Sequence, residues 1–136
     1  MLKINKKVEY ALIALQFMSG KKSGDLTTAR EICQKFNTPF DTTAKVMQSM
    51  NNHGILNSIQ GVKGGYAISL DLSQISYIKL TKIIEGKSST IACDGKSHCQ
   101  RKKCCNIVGP IQALNNKLTK YLDKISLQEL LSGDLQ

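Results

Sequence analysis

The chain contains no tryptophan, and aromatic residues make up only 5% of it, so leucine, isoleucine, valine and methionine must supply most of any core. Arginine is almost as scarce: Arg30 and Arg101 are the only two among nineteen basic side chains. A lysine-dominated field attracts a phosphate backbone better than it reads bases with bidentate forks. No apolar run approaches the length of a bilayer span, and Gln16 interrupts the longest. The start, MLKINKKVEYALIALQFMSG, is basic and then apolar, but Glu9 breaks the run and no A-x-A-like cleavage site follows. A cytoplasmic protein is therefore expected, without a membrane partner. Apart from the cysteines no nucleophile–base pair, carboxylate pair or phosphate loop is recognisable, and GVKGG lacks the consecutive lysine and hydroxyl residue of a P-loop. Neither an enzyme nor a small-molecule substrate is expected.

What the chain does have is charge of one sign and clustered sulfur. Its 136 residues carry a net charge of +9 with a pI near 9.4, which favours an anionic partner, nucleic acid foremost. Four of the five cysteines fall in ACDGKSHCQRKKCC, with Cys93, Cys99 and Cys105 evenly spaced by five residues and Cys104 beside the last. So lysine-rich a segment buries too little apolar surface to order itself, and a thiolate-bound metal centre is the best candidate for ordering it. In the cytoplasm clustered thiols hold metal or sense oxidants more often than they form bridges.

The pattern of residues around that loop is mainly helical. Val8, Ala11, Leu12, Leu15 and Met18 recur at helical spacing, with Asn5 as cap and Gly20 as stop. Thr28-Ala-Arg-Glu31 matches a capping box, and Ala29, Ile32, Cys33 and Phe36 line the face that follows, which makes Cys33 a packing residue. Thr38 and Pro39 read as cap and first residue of a third helix. Phe40, Ala44, Met47 and Met50 form its buried stripe, while Asp41, Thr42, Thr43, Lys45, Gln48 and Ser49 face outward. Two short helices joined by a tight turn, the second with a small-polar outer face, is the helix-turn-helix pattern.

ILNSIQ and YAISL, separated by GVKGG, then read as a β-hairpin, in the position of a wing. Gly64 and Gly65 permit positive torsions and close approach there. Ile78 to Glu85 forms a short helix closed by Gly86. Beyond the cysteines, Ile107, Ile111, Leu114, Leu118, Leu122 and Ile125 repeat at steps of three and four, with Pro110 in the first turn. So long an apolar stripe on so small a domain favours pairing with a second copy. Ser126-Leu-Gln-Glu129 is a second capping box, opening a last short helix through Leu131.

Together these pieces resemble the Rrf2 family of bacterial winged-helix regulators, with its IscR-, NsrR- and RirA-like branches. The resemblance rests on VEYALIALQFM, LTTAREICQKFNTPFDTTAKVMQSM, GILNSIQGVKGGYAISL, KIIEG, the spacing of Cys93, Cys99 and Cys105, and ISLQELL. The fold class expected is mainly α with a small β-hairpin. A winged helix-turn-helix domain spans 1–86, a cysteine-rich cluster-binding loop 87–106, and a dimerisation helix with a C-terminal short helix 107–136.

The resemblance implies a homodimeric DNA-binding regulator, a repressor by expectation. Cys93, Cys99 and Cys105 would hold an iron-sulfur cluster, 2Fe-2S or 4Fe-4S, that reports iron-sulfur status, nitric oxide or redox state. Soft thiolates suit iron, and cluster binding supplies the energy that orders a loop. IscR-like members take a fourth ligand from a histidine three residues beyond the third cysteine, where this chain has Val108. NsrR-like members use a carboxylate from the first helix of the other subunit, and the matching residue is Glu9. His98 is a further candidate.

Two copies of the third helix would enter successive major grooves about 34 Å apart, so the operator in double-stranded DNA should be palindromic. Thr42, Thr43, Lys45, Gln48 and Ser49 are the candidate contacts on that helix. Thr28 and Lys63 are phosphate candidates, and Gln60 or the wing backbone at Gly64 would enter the minor groove. Three alternatives stay open. The cysteines act as a cluster-free thiol switch, with Cys104 as a resolving thiol. They bind zinc with His98. Or the chain is an iron-sulfur carrier whose basic surface docks an acidic partner.

Overall fold

Asn5 begins the first helix by accepting the Lys7 backbone N–H at 2.8 Å, and α1 runs Lys6–Ser19 before Gly20 closes it. The computed structural model describes residues 4–86 and 104–135, so Cys93, His98 and Cys99 lie outside the described residues. Val8, Ala11, Ala14, Leu15 and Met18 are the buried positions of α1. Leu12, expected in that stripe, is only half-buried, because Ala14 takes the innermost position instead.

After α2 (Ala29–Phe36) the chain turns at Asn37, whose φ of 55° makes it the one non-glycine residue in the left-handed region among the described residues. Asparagine tolerates that region better than most side chains, which keeps the turn between the two helices short. The third helix, α3, starts one residue later than expected, at Phe40, and runs to Asn52. Pro39 occupies the cap position without a side-chain bond, and the Thr38 hydroxyl turns inward to Thr43.

That inward turn fixes which side of α3 is buried. Thr43, Val46, Met47 and Met50 lie inside, whereas Phe40 is 50% exposed and Ala44 half-buried. The expected stripe through Phe40 and Ala44 is thus corrected by a rotation of the helix toward Thr43 and Val46. Each replacement stays within the three-and-four spacing that defines a helical face.

The hairpin pairs β1 (Leu56–Ile59) antiparallel with β2 (Gly65–Ile68), Leu56 opposite Ile68 and Ile59 opposite Gly65. A further bridge joins Thr27 to Tyr66 through two backbone bonds of 2.9 and 2.8 Å, tying the wing to the start of α2. Asp71 caps a single 3-10 turn, Leu72–Gln74, which the sequence pattern did not reveal. Ser76 then accepts the Lys79 N–H and α4 runs Tyr77–Glu85.

Val108–Asp123 form α5, with Gly109 and Pro110 in its first turn and no fully buried residue along its length. It packs on α4. Ser126 accepts the Glu129 N–H to open α6 (Leu127–Ser132), and bonds from Leu127 N–H to Ile75 and from Tyr77 N–H to Ile125 return the chain to the main body. Leu127 is completely buried in the same core as Leu15, Ile32, Met47 and Leu80. No helix among the described residues is long and apolar enough to cross a membrane.

Candidate nucleic-acid interface and metal centre

Rotation of α3 leaves one row of exposed side chains along it: Asp41, Lys45, Gln48 and Asn52, at steps of four, three and four. Thr42 and Ser49 flank this row and are half-buried. Lys45 and Gln48 were expected on the outward face; Asn52 was not, although its distance of four from Gln48 is the signal that would have found it. Thr43 is the exception and must be corrected. Its side chain is completely buried, and its hydroxyl bonds to Thr38 Oγ1 at 2.8 Å and to the Pro39 carbonyl at 2.7 Å. A side chain held there fixes the entry of α3 and cannot reach a duplex.

Thr28 caps α2 by accepting the Glu31 N–H at 3.1 Å and remains exposed. The reciprocal half of the expected capping box does not form. The Glu31 carboxylate instead takes both oxygens to Lys21 Nζ, at 2.6 and 2.8 Å, because a charged donor outcompetes a neutral amide. Lys21 also donates to the Leu26 carbonyl at 3.1 Å and sits 4.8 Å from the centre of the Phe17 ring. The loop before α2 is thereby tied to both helices.

Between the start of α2 and the wing lies a shallow cavity of about 220 Å³ whose lining includes Thr28, Gln60, Gly64 and Tyr66. Three of the expected wing-side contacts therefore share one crease, and Lys63 stands exposed at the hairpin tip beside the fully exposed Val62. Glycine is required at position 64. A Cβ there would overlap the Ile59 carbonyl oxygen and lie 2.9 Å from that of Gly61. Helix α3, the α2 cap and the wing tip together present hydroxyls, amides and ammonium groups, the donor types that bind phosphates and base edges.

Of the candidate metal ligands, Cys105 is half-buried three residues ahead of α5, and Cys104 is exposed; both are free thiols. Glu9 is half-exposed in the first turn of α1, with Lys6 Nζ 3.2 Å away. Val108 is the first residue of α5, so that position presents only hydrocarbon. Among the described residues no three ligating side chains come together. Cys33 is not the core residue that was expected. It is half-buried and lines a depression of about 380 Å³ with Arg30, Gln34 and Phe40, because only Ile32 of α2 is fully buried.

Comparison with known proteins places this geometry. The model of the Rrf2 family, described as an iron-dependent transcriptional regulator, matches residues 4–133. The HTH-type transcriptional regulator IscR of Escherichia coli K12 is 21% identical over 132 residues, covering 97% of this chain and 82% of IscR. Among solved structures, CymR, the global cysteine regulator of B. subtilis, superposes with a TM-score of 0.73 at 22% identity, covering 97% of this chain and 98% of CymR. IscR of T. potens does so with a TM-score of 0.69 at 16% identity, covering 98% and 89%.

Proposed function

This chain belongs to the Rrf2 family of transcriptional regulators, and from that premise we propose that it is a homodimeric, operator-binding regulator controlled by an iron-sulfur cluster. It is a DNA-binding protein and not an enzyme. The observation that carries the finer reading is the exposed row on α3, flanked by a wing that is bonded to Thr27, the residue before the α2 cap. Lys45, Gln48, Thr42 and Ser49 meet the major groove. Thr28, Lys63, Gln60 and the backbone at Gly64 take the phosphates and the adjacent minor groove. The charge of +9 supplies long-range attraction.

Helix α5 supports pairing with a second copy. It has no fully buried residue, and Ile107, Leu114 and Tyr121 are 52%, 49% and 63% exposed. Such a face on a regulator that must read a palindrome is what a symmetric dimer would cover. The long helix and α6 then form the pairing unit of 107–136, behind the winged domain of 1–86.

The donor set fits an iron-sulfur cluster. Cys105 and Cys104 are free rather than bridged, Cys93 and Cys99 complete three evenly spaced thiols, and the Glu9 carboxylate faces no partner stronger than an exposed lysine. Cys93, Cys99 and Cys105 would hold the group, with Glu9 reaching from the partner subunit. When bound, it supplies a centre that oxidants and nitric oxide can attack. Cys105 leads directly into α5, and Glu9 sits on the first turn of α1, which packs on α3. Losing either ligand frees one end of a helix that sets the spacing of the two reading heads. An effector shifts that spacing only as far as it favours one state over the other. The cytoplasm is the compartment in which these thiols would stay reduced.

The exposed Cys104 thiol, next to Cys105, favours a second reading in which the same DNA-binding fold is switched by thiol oxidation without a cluster. Selection of duplexes from a random library separates these. Protein purified without oxygen should enrich a palindrome, and its affinity for that site should change at least tenfold when iron is stripped under reducing conditions. Enrichment of no sequence would contradict the regulator reading. Affinity that responds only to thiol oxidants would favour the switch.

A further inference from the structure

Between the start of α1, one flank of α3 and the end of α4 lies a cavity of about 150 Å³ lined by Lys7, Thr42, Lys45, Val46, Ser49 and Ile84. Its lining residues carry two ammonium groups and two hydroxyls, beside one valine and one isoleucine. Among the described residues no carboxylate lines it. The ion pairs among the described residues are Lys6–Glu9 and Lys21–Glu31, so neither Lys7 nor Lys45 is neutralised by a carboxylate there. Lys7 lies in the first turn of α1, the end of the helix where the dipole is positive.

We infer that this cavity seats a phosphate group, and that the phosphate belongs to the backbone of the bound duplex. The inference rests on the DNA-binding reading of α3 given above. Lys45 is shared between the exposed row of α3 and this cavity, so a duplex against that row brings its backbone past the cavity mouth. Two point charges and two hydroxyl donors, contributed by separate helices, suit the two non-bridging oxygens that share a phosphodiester's single negative charge, so that Lys45, Thr42 and Ser49 grip the backbone at the edge of the major groove while Gln48 faces the bases. Helix α1 thereby becomes a third DNA-contacting element, beside α3 and the wing. Lys7, exposed in the first turn of α1, is its principal residue.

The test is the salt dependence of binding by the full chain to a mixed-sequence duplex of about 30 base pairs, between about 50 and 200 mM potassium chloride. Lys7→Gln should make the slope of log affinity against log salt shallower by about 0.9 per protomer, and weaken binding at about 0.1 M salt roughly eightfold per protomer. Lys7→Arg should retain the wild-type slope, and Lys120→Gln, on α5, should leave it unchanged. A Lys7→Gln protein with the wild-type slope would overturn the inference, as would an equal loss in Lys7→Arg, which would mark a packing role. Titration of the DNA-free protein with inorganic phosphate at constant ionic strength should give no saturable heat. Saturable binding that Lys7→Gln abolishes would make the cavity a site for free phosphate and overturn the duplex assignment. If the wild-type protein binds no duplex at any salt, the DNA-binding reading itself fails; if only the variant comparison fails, α3 and the wing remain in place.

Discussion

Replacing Thr43 with valine separates residues that shape α3 from residues that touch DNA. Valine has nearly the same shape, so the change removes a hydroxyl without opening a cavity. One hydroxyl hydrogen serves one acceptor, so Thr43 donates to the Pro39 carbonyl and accepts from Thr38. The Pro39 carbonyl keeps a partner in the Thr43 backbone N–H at 3.0 Å, but the Thr38 hydroxyl, only 9% exposed, loses its own. Leaving one such group unpaired costs about 1–3 kcal/mol, and burying the added methyl returns about 0.8 kcal/mol. The net loss of roughly 0.2–2 kcal/mol should lower the midpoint of thermal unfolding by roughly 1–8 °C for a chain of this size. Circular dichroism at matched protein concentration measures it. Well below both midpoints, affinity for the selected operator should stay within about twofold of wild type, because nothing that touches DNA has changed. Gln48→Ala should do the reverse, losing affinity with little change in midpoint. A Thr43→Val protein with an unchanged midpoint and at least tenfold weaker operator binding would refute the assigned orientation of α3.

Other substitutions test the remaining elements. Gly64→Ala forces its Cβ into the Ile59 carbonyl, so the wing turn must open; operator affinity should fall at least tenfold while the helical signal persists, as gel retardation with circular dichroism would show. Leu114→Glu places a charge on the exposed apolar face of α5 and should yield monomers in sedimentation velocity at concentrations where the wild type is dimeric. The carboxyl of Asp71 is held below its ordinary value by the Ser73 backbone N–H and then by the Ser73 hydroxyl. Its contribution to stability is therefore complete at neutral pH and lost as pH falls through that lowered value. Denaturation midpoints of wild type and Asp71→Asn should differ near neutrality and converge as pH falls through that lowered value.

Features that depend on a few neighbouring residues were legible in the sequence. Asn5, Thr28 and Ser126 cap their helices through bonds spanning two or three residues, and GVKGG turns the chain where its glycines demand. Features set by distant contacts were not. Which side of α3 is buried depends on the left-handed Asn37 and the inward Thr38, so Thr43 and Phe40 exchanged their expected places. Glu31 left its capping box because Lys21, ten residues earlier, returns beside it. Cys33 is only half-buried because α2 buries only Ile32 fully. Leu127 enters the core because Ile75 and Ile125 pair the end of the chain with the start of α4, a contact spanning some fifty residues. The exposed row of α3 was largely readable from helical spacing. The cavity that Lys7 shares with Thr42, Lys45 and Ser49 was not, since it forms between helices distant in the chain.

Iron, acid-labile sulfide and zinc content, taken with the visible spectrum of protein purified without oxygen, is the most direct measurement of the cluster-controlled reading. It should be made on the wild type and on Cys105→Ser and Glu9→Ala. A brown wild-type protein containing iron and sulfide, with Cys105→Ser colourless and Glu9→Ala folded but retaining less iron, is the expected result. A wild-type protein that stays colourless and takes up no iron on reconstitution, or holds zinc instead, would contradict the cluster. It would leave a DNA-binding regulator switched by other means.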